Sequence, residues 1–320
     1  MIDTIKEKLS GIVQSVVDFL NTPWEIKKKK FKENLSGTIF LILALSSISV
    51  LILITAFIVM KGAPMLGHVS GMTWDPDNGQ FGIIPMIIGT VVVTLVAAVI
   101  GVPVGVCCAV FLAEFAPEKM RDIFRPAIQL LAGIPSVVYG YWGFLFIVPF
   151  IRDTLSGPGL SILAGSVILA IMILPTIISI SEVALISLPS PYKQGALALG
   201  LTHWQTIWHL LLPAAKSGIV AAVILGLGRA VGETMAVIML LGNATALPAS
   251  ILDPVRTLTT NIGIEMGYAS GEHQEALFAT GIVLFIIIML LNSAAQYIVR
   301  EKGTKAAKKA VKAAAETSGE

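Results

Sequence analysis

Charge is scarce in this sequence. Only 13% of its 320 residues are Asp, Glu, Lys or Arg, about half the ~25% usual in soluble domains. Cysteine is scarcer. Cys107 and Cys108 are adjacent inside an apolar run, which suits small packing residues rather than a disulfide or a metal site. His68, His203, His209 and His273 are scattered without ligand spacing, so no metal or redox chemistry is indicated. The pattern Gly-x4-Gly-Lys-Ser/Thr does not occur, and no P-loop nucleotide site is expected. The reading is therefore of a chain that performs no reaction itself, needs no cofactor and meets no nucleic acid.

What is abundant is apolar sequence, 55% of the residues. A hydrocarbon core of ~30 Å takes roughly 20 apolar residues per helix. Six runs reach that length, at about 37–60, 83–112, 123–150, 160–181, 218–241 and 278–299. Backbone polar groups must be satisfied internally in lipid, so each run is read as helix. The expected fold is an all-α membrane protein with six transmembrane helices. In the third run Gly133-Ile134-Pro135 interrupts; proline removes a donor, and a short helix, a turn and a second helix are expected. The first run starts too late and is too long for a cleaved signal, and is read as an anchor that stays.

Before it, Ile2, Ile5, Leu9, Ile12, Val13, Val16 and Leu20 recur at helical spacing opposite Asp3, Lys6, Glu7, Gln14 and Asp18, up to Pro23. This predicts an amphipathic helix on the membrane surface or on another subunit. Lys27 to Lys30 and Lys32 follow as a basic cluster. The chain thus divides into an N-terminal segment 1–35, a membrane domain 36–300 and a basic tail 301–320, either solvated or on anionic headgroups.

Basic residues set the orientation. Seven Lys or Arg precede the first run, three follow the second (Lys119, Arg121, Arg125), two follow the fourth (Lys193, Lys216) and six lie from Arg300 onward. Only Lys61, Arg152 and Arg256 fall in the alternate segments, and Arg229 sits inside the fifth run. Both termini are expected in the cytoplasm.

Two constellations carry function. The first is the cytoplasmic loop 182–217, where Ala196, Leu199, Ile207, Trp208 and Leu211 are read as apolar knobs on two short helices joined at Gly200. An apolar cytoplasmic surface asks for a partner groove, or else packs on its own spans. The segment resembles the EAA loop of ABC-importer permeases, a pattern of Glu-Ala-Ala, three residues, Gly, nine residues and Ile-x-Leu-Pro. Ala196, Gly200, Leu210, Leu212 and Pro213 fall in register, while Gln194 and Gly195 depart from Glu-Ala. The resemblance implies an ATPase partner at these positions and a lever that transmits closure. The departure puts in doubt any salt bridge from position 194.

The second constellation is Arg229 with Glu233, between Gly228 and Gly232. A charge at mid-membrane costs at least ~2.5–3.5 kcal/mol on insertion scales. Four residues apart on one helix, the two can pair, and the glycines leave space for a helix or a ligand. A guanidinium suits a tetrahedral oxyanion, because its planar fork gives two parallel hydrogen bonds. A static ion pair fits the same residues. The stretch from Gly228 through Thr234 to Val237 resembles the signature of phosphate-importer permeases, as do Phe111 to Glu114, Gly133 to Gly143, and Asn261 to Met266. The likeness is to the PstC-type subunit and covers about residues 65–300. It implies that Arg229 and Glu233, with Thr234 beside them, line an anion path. Ser136 and Tyr139 follow the Pro135 break, where freed amides face an anion or merely pack a turn.

The resemblance further implies a type I ABC importer in a bacterial plasma membrane. Its expected partners are a second, PstA-type permease, two PstB-type ATPase subunits, an external PstS-type phosphate-binding protein at 242–277, phosphate and membrane lipids. An importer of sulfate, molybdate or phosphonate is the nearest rival. A stand-alone secondary transporter is more distant, since it would be expected to carry titratable residues in several spans or an inverted repeat.

Overall fold

The computed structural model describes residues 24–293, with side-chain surroundings from residue 36 onward. The amphipathic stretch 2–20, the side chains of the basic cluster and the tail 301–320 lie outside the described residues. The chain divides into two compact units, residues 1–57 and 58–320.

The first unit is represented by α1 (Trp24–Gly62). Its apolar side chains point outward, with Phe40 and Leu53 about two-thirds exposed, as expected of a helix solvated by lipid. Ser46 and Thr55 return their hydroxyls to the carbonyls of Leu43 and Leu51, so neither leaves a polar group bare.

The second unit begins with a small hairpin, β1 (Trp74–Asp75) and β2 (Gln80–Phe81), paired antiparallel. Together with an isolated parallel bridge between Gly242 and Val255, it is the β-structure among the described residues. Next come α2 (Ile84–Val110), α3 (Glu118–Gly133), α4 (Ser136–Leu155), α5 (Ile162–Ile186) and α6 (Ser190–Ala198). Then follow α7 (His203–Thr206), α8 (Leu212–Gly232), α9 (Met235–Leu240) and α10 (Leu258–Glu265). The last described helix, α11, is Gly271–Ser293. Among the described residues, five helical stretches are long and apolar enough to span a membrane, and six if the bent pair α3–α4 counts as one.

The helix α5 is apolar all round, and two-thirds of its most apolar window is buried, so it forms the centre. α2 lies close against it because Gly101 and Gly105 carry no Cβ: one at Gly105 would come within 2.7 Å of Ile177 Cγ2. At the hairpin end, Trp74, Phe81, Met86, Leu258 and Leu277 make a separate core.

Two membrane runs differ from expectation. The third bends by 92° between Gly133 and Ser136, where Pro135 supplies no amide, so the expected break is present. However, α3 has no buried residue and one polar face. The fifth run, expected at 218–241, instead begins at His203 and continues to Gly232. It passes Pro213 by a π-turn over Ile207–Leu211, with the Leu212 amide donating to the Ile207 carbonyl. A second π-turn, Phe111–Phe115, ends the α2 span two residues before Pro117. In both places a proline that cannot donate is preceded by one wider turn.

Candidate functional site

At one end of the bundle the π-turn 111–115, the end of α5, α6 and the start of α7 meet. Ala113, Leu185, Ile207, Leu211 and Ala215 form a buried cluster there, and Ala196 is buried as well. This corrects the expected set of knobs. Ala196, Ile207 and Leu211 face inward because the second loop helix is the beginning of a 30-residue span, not a short separate piece. The outward set is Tyr192, Leu197, Leu199, Trp204 and Trp208, with Leu199 84% exposed. Gly200 joins the two helices at φ +83°, in open space, so glycine is needed for its backbone and not for room. Gln194, Gly195 and Pro213 are exposed, and Leu210 and Leu212 are half-buried. Thr202 caps α7 and Gln205 returns the bond, a full capping box.

Ion pairs that sequence reading missed fasten this end. Lys193 Nζ donates to Glu114 Oε2 at 2.6 Å, and His203 Nε2 lies 3.4 Å from the same oxygen. Arg125 on α3 reaches Glu182 Oε1 near the end of α5 through both Nε, at 2.8 Å, and a terminal nitrogen at 2.7 Å. A cavity of about 340 Å³ lies beside that pair, lined by Gln129, Ser179 and Ser187 among others. Arg229 is not among the residues that line it.

Arg229 stands 13 residues beyond Lys216 on α8, about 20 Å of helix at 1.5 Å per residue. It is exposed on the isolated chain. Among the described residues it makes no hydrogen bond or ion pair. The expected pairing with Glu233 is not formed, because α8 stops at Gly232 and Glu233 is extended at φ −68°, ψ 134°. The Glu233 carboxylate turns instead to the next helix, accepting from the amides of Thr234 at 3.2 Å and Ala236 at 3.3 Å. Its carbonyl accepts from Thr259 Oγ1 at 2.8 Å. Thr234 donates to the Gly232 carbonyl at 3.4 Å. Gly228 and Gly232 border open space, as the spacing led one to expect.

The other break approaches the same place. Tyr139 is buried and lies within electrostatic reach of Arg229. Its hydroxyl donates to the Leu131 carbonyl at 2.9 Å, closing the bend at Pro135, so the packing reading accounts for its hydroxyl. Ser136 begins α4 with no side-chain cap from Pro135. α4 and α9 are in close contact: a Cβ at Gly140 would meet Ala236 Cα at 2.9 Å. An apolar cavity of about 270 Å³ adjoins Tyr139, lined by Ile134, Val138, Trp142 and Ile171.

Near the hairpin, Glu265 is buried and held from three sides. It pairs with Arg256, lies 2.8 Å from His273 Nε2 and accepts from Trp74 Nε1 at 2.9 Å. Arg256 also donates to the Asn243 carbonyl and to Asn261 Oδ1. Within the stretch 242–277, expected to meet an external protein, Arg256 and Glu265 are engaged with each other. Exposed Tyr268 remains on that face.

Apolar spans around a buried central helix, with a helical loop presenting aromatic and leucine side chains beyond them, define a multi-pass membrane subunit built to engage partners. Residues 101–303 match the family described as binding-protein-dependent transport system inner membrane component, and the chain belongs to it. It is 40% identical, over 80% of its length and 87% of the other, to the probable ABC transporter permease protein YqgH of Bacillus subtilis. It is 35–36% identical to phosphate transport system permease proteins PstC of Xylella fastidiosa and Mesorhizobium japonicum, over 67–71% of this chain and 72–76% of theirs. The fold matches the inward-facing MetNI methionine ABC transporter, with a TM-score of 0.57 at 23% identity over 72% of this chain and 99% of that one. A bacterial alginate ABC transporter gives the same TM-score at 16% identity, over 83% and 97%. The chain is a type I ABC-importer permease of the inner membrane. Members of its family are transport subunits working with ATPase subunits and a solute-binding protein.

Proposed function

We propose that this permease carries inorganic phosphate, forming half of a path completed by a PstA-type sister subunit, with both termini in the cytoplasm. Arg229 carries this reading: a guanidinium without a partner among the described residues, on a spanning helix, beside glycines that leave space. Left to lipid it would be costly, and a path shared with a second permease gives it water or an anion instead. Relatives whose names specify phosphate transport support the cargo. Glu233 serves this site as a cap on α9 that keeps the break in α8–α9 open, not as the counter-charge of Arg229. Thr234 and Ser136 stand at the two helix starts that border the path, and Tyr139 holds the bend of α3–α4.

Two PstB-type ATPases then engage Tyr192, Leu197, Leu199, Trp204 and Trp208 around Gly200, while a PstS-type protein delivers phosphate at the hairpin end. The grouping of Lys119, Arg121, Arg125, Lys193 and Lys216 at the loop end supports the orientation. The test is uptake of radiolabelled phosphate in cells lacking this chain, with sulfate as control. Restoration of phosphate uptake alone is expected; restoration of sulfate uptake instead would replace the cargo.

A further inference from the structure

The loop helix α6 is joined covalently to α5 and to the α7–α8 span, but the chain gives it no covalent tie to α2. Glu114 supplies one. It lies in the π-turn ending the α2 span, and its side chain is only 10% exposed. It accepts from Lys193 Nζ of α6 at 2.6 Å and lies 3.4 Å from His203 Nε2 at the start of α7. The ring of Phe115 lies tilted against His203 at 5.0 Å and against Trp204 at 6.4 Å. Arg121 approaches from α3, donating to the Ala113 carbonyl at 2.9 Å. A single carboxylate thus gathers the loop helix and the two π-turned spans, while Tyr192, Leu197 and Leu199 remain free outside.

We infer that Glu114 is a positioning residue for energy coupling: through Lys193 and His203 it makes the α2 span follow α6 when the ATPase moves it. This rests on the reading of α6 as the ATPase-facing lever. A half-buried, charge-assisted bond resists displacement of α6 away from α2. The π-turn, held by the wider Ala116-to-Phe111 hydrogen bond, gives the end of that span a local deformation that a regular helix lacks. Pulled by Lys193, the turn carries α2, which packs along α5 through Gly101 and Gly105. Without the carboxylate, α6 keeps its outer face and its covalent ends but loses its hold on α2.

The test uses the assembled complex, this chain with its sister permease and ATPase subunits, in proteoliposomes with the binding protein and radiolabelled inorganic phosphate. Glu114→Gln is expected to co-purify with the ATPase and to retain ATP turnover within about twofold, while phosphate moved per ATP falls at least about fivefold. Glu114→Lys combined with Lys193→Glu is expected to regain a substantial part of that ratio. A cargo-independent readout accompanies it: amide hydrogen exchange of residues 111–116 with and without ATP and vanadate. In the wild type exchange changes at both α6 and 111–116; in Glu114→Gln it changes at α6 alone. An unaltered transport-to-ATP ratio, loss of ATPase co-purification, or an ATP response at 111–116 that survives Glu114→Gln overturns the inference. A wild-type complex that hydrolyses ATP yet moves no phosphate overturns the cargo reading and leaves the exchange test standing.

Discussion

Replacing Arg229 by Gln separates two roles that have opposite consequences for stability. If the guanidinium served as half of a structural pair, its loss would leave a carboxylate stranded and cost about 3–5 kcal/mol. The structure gives Glu233 other partners, the amides of Thr234 and Ala236, so nothing is stranded. Removing a charge that inserts at ~2.5–3.5 kcal/mol should leave assembly at least as favourable. Transport should suffer. A fork on an oxyanion makes charge-assisted hydrogen bonds worth about 1.5–3 kcal/mol each. Glutamine can replace one neutral bond but not the charged pair, so a loss of about one such bond means roughly a 10- to 150-fold fall in uptake. Arg229→Lys keeps the charge without the fork and should fall between. Radiolabelled phosphate uptake and thermal unfolding of purified complex are measured on the same variants. Wild-type uptake in Arg229→Gln, or a drop of several degrees in its Tm, refutes the reasoning.

Other positions give sharp expectations. Gly200→Trp forces a bulky L-residue into φ +83° beside the exposed leucines and should abolish both uptake and co-purification of the ATPase; retention of either counts against the lever. Arg256→Gln removes a partner of Glu265, whose side chain is 8% exposed, and should cost about 3 kcal/mol, a fall of about 4 °C in Tm by scanning fluorimetry; an unchanged Tm would mean the pair is dispensable. Tyr268→Cys, at an exposed site beyond that network, should react with an impermeant thiol reagent from outside the cell, after Cys107 and Cys108 are replaced; labelling from the cytoplasm alone inverts the orientation.

The spans were legible because the bilayer imposes a length on apolar runs, and the break at Pro135 because a proline writes it in one residue. The break after Gly232 had no such mark. It is made by Glu233 capping the following helix and by the hydroxyl of Thr259 taking the Glu233 carbonyl, a contact spanning 26 positions. The i,i+4 argument for Arg229 and Glu233 assumed an unbroken helix and failed with it. The loop pattern marked out the helical segment proposed to meet the ATPase, but not which of its faces is outward. That depends on α7 continuing into α8, which turns Ile207 and Leu211 onto Leu185. Glu114 entered the sequence reading only as the end of the Phe111–Glu114 likeness, beyond the apolar run at 83–112. Its bond to a partner 79 residues on was not legible.

The two breaks bear on the path more than any single side chain. Non-helical backbone at membrane depth is tolerated where protein covers it or where it lines a water-filled space. Several of the carbonyls at these breaks are covered by side chains: that of Leu131 by Tyr139, of Gly232 by Thr234, and of Glu233 by Thr259. What remains outward is positive. Arg229 is exposed, and one turn from Tyr139 the chain restarts at Ser136, where a helix beginning presents amides and the positive end of its dipole. A lipid tail is a poor neighbour for such a surface and an anion is a good one. On the proposed reading a second permease closes over this face without neutralising it, and a carboxylate placed opposite Arg229 by that subunit should lower uptake at least as much as Arg229→Gln.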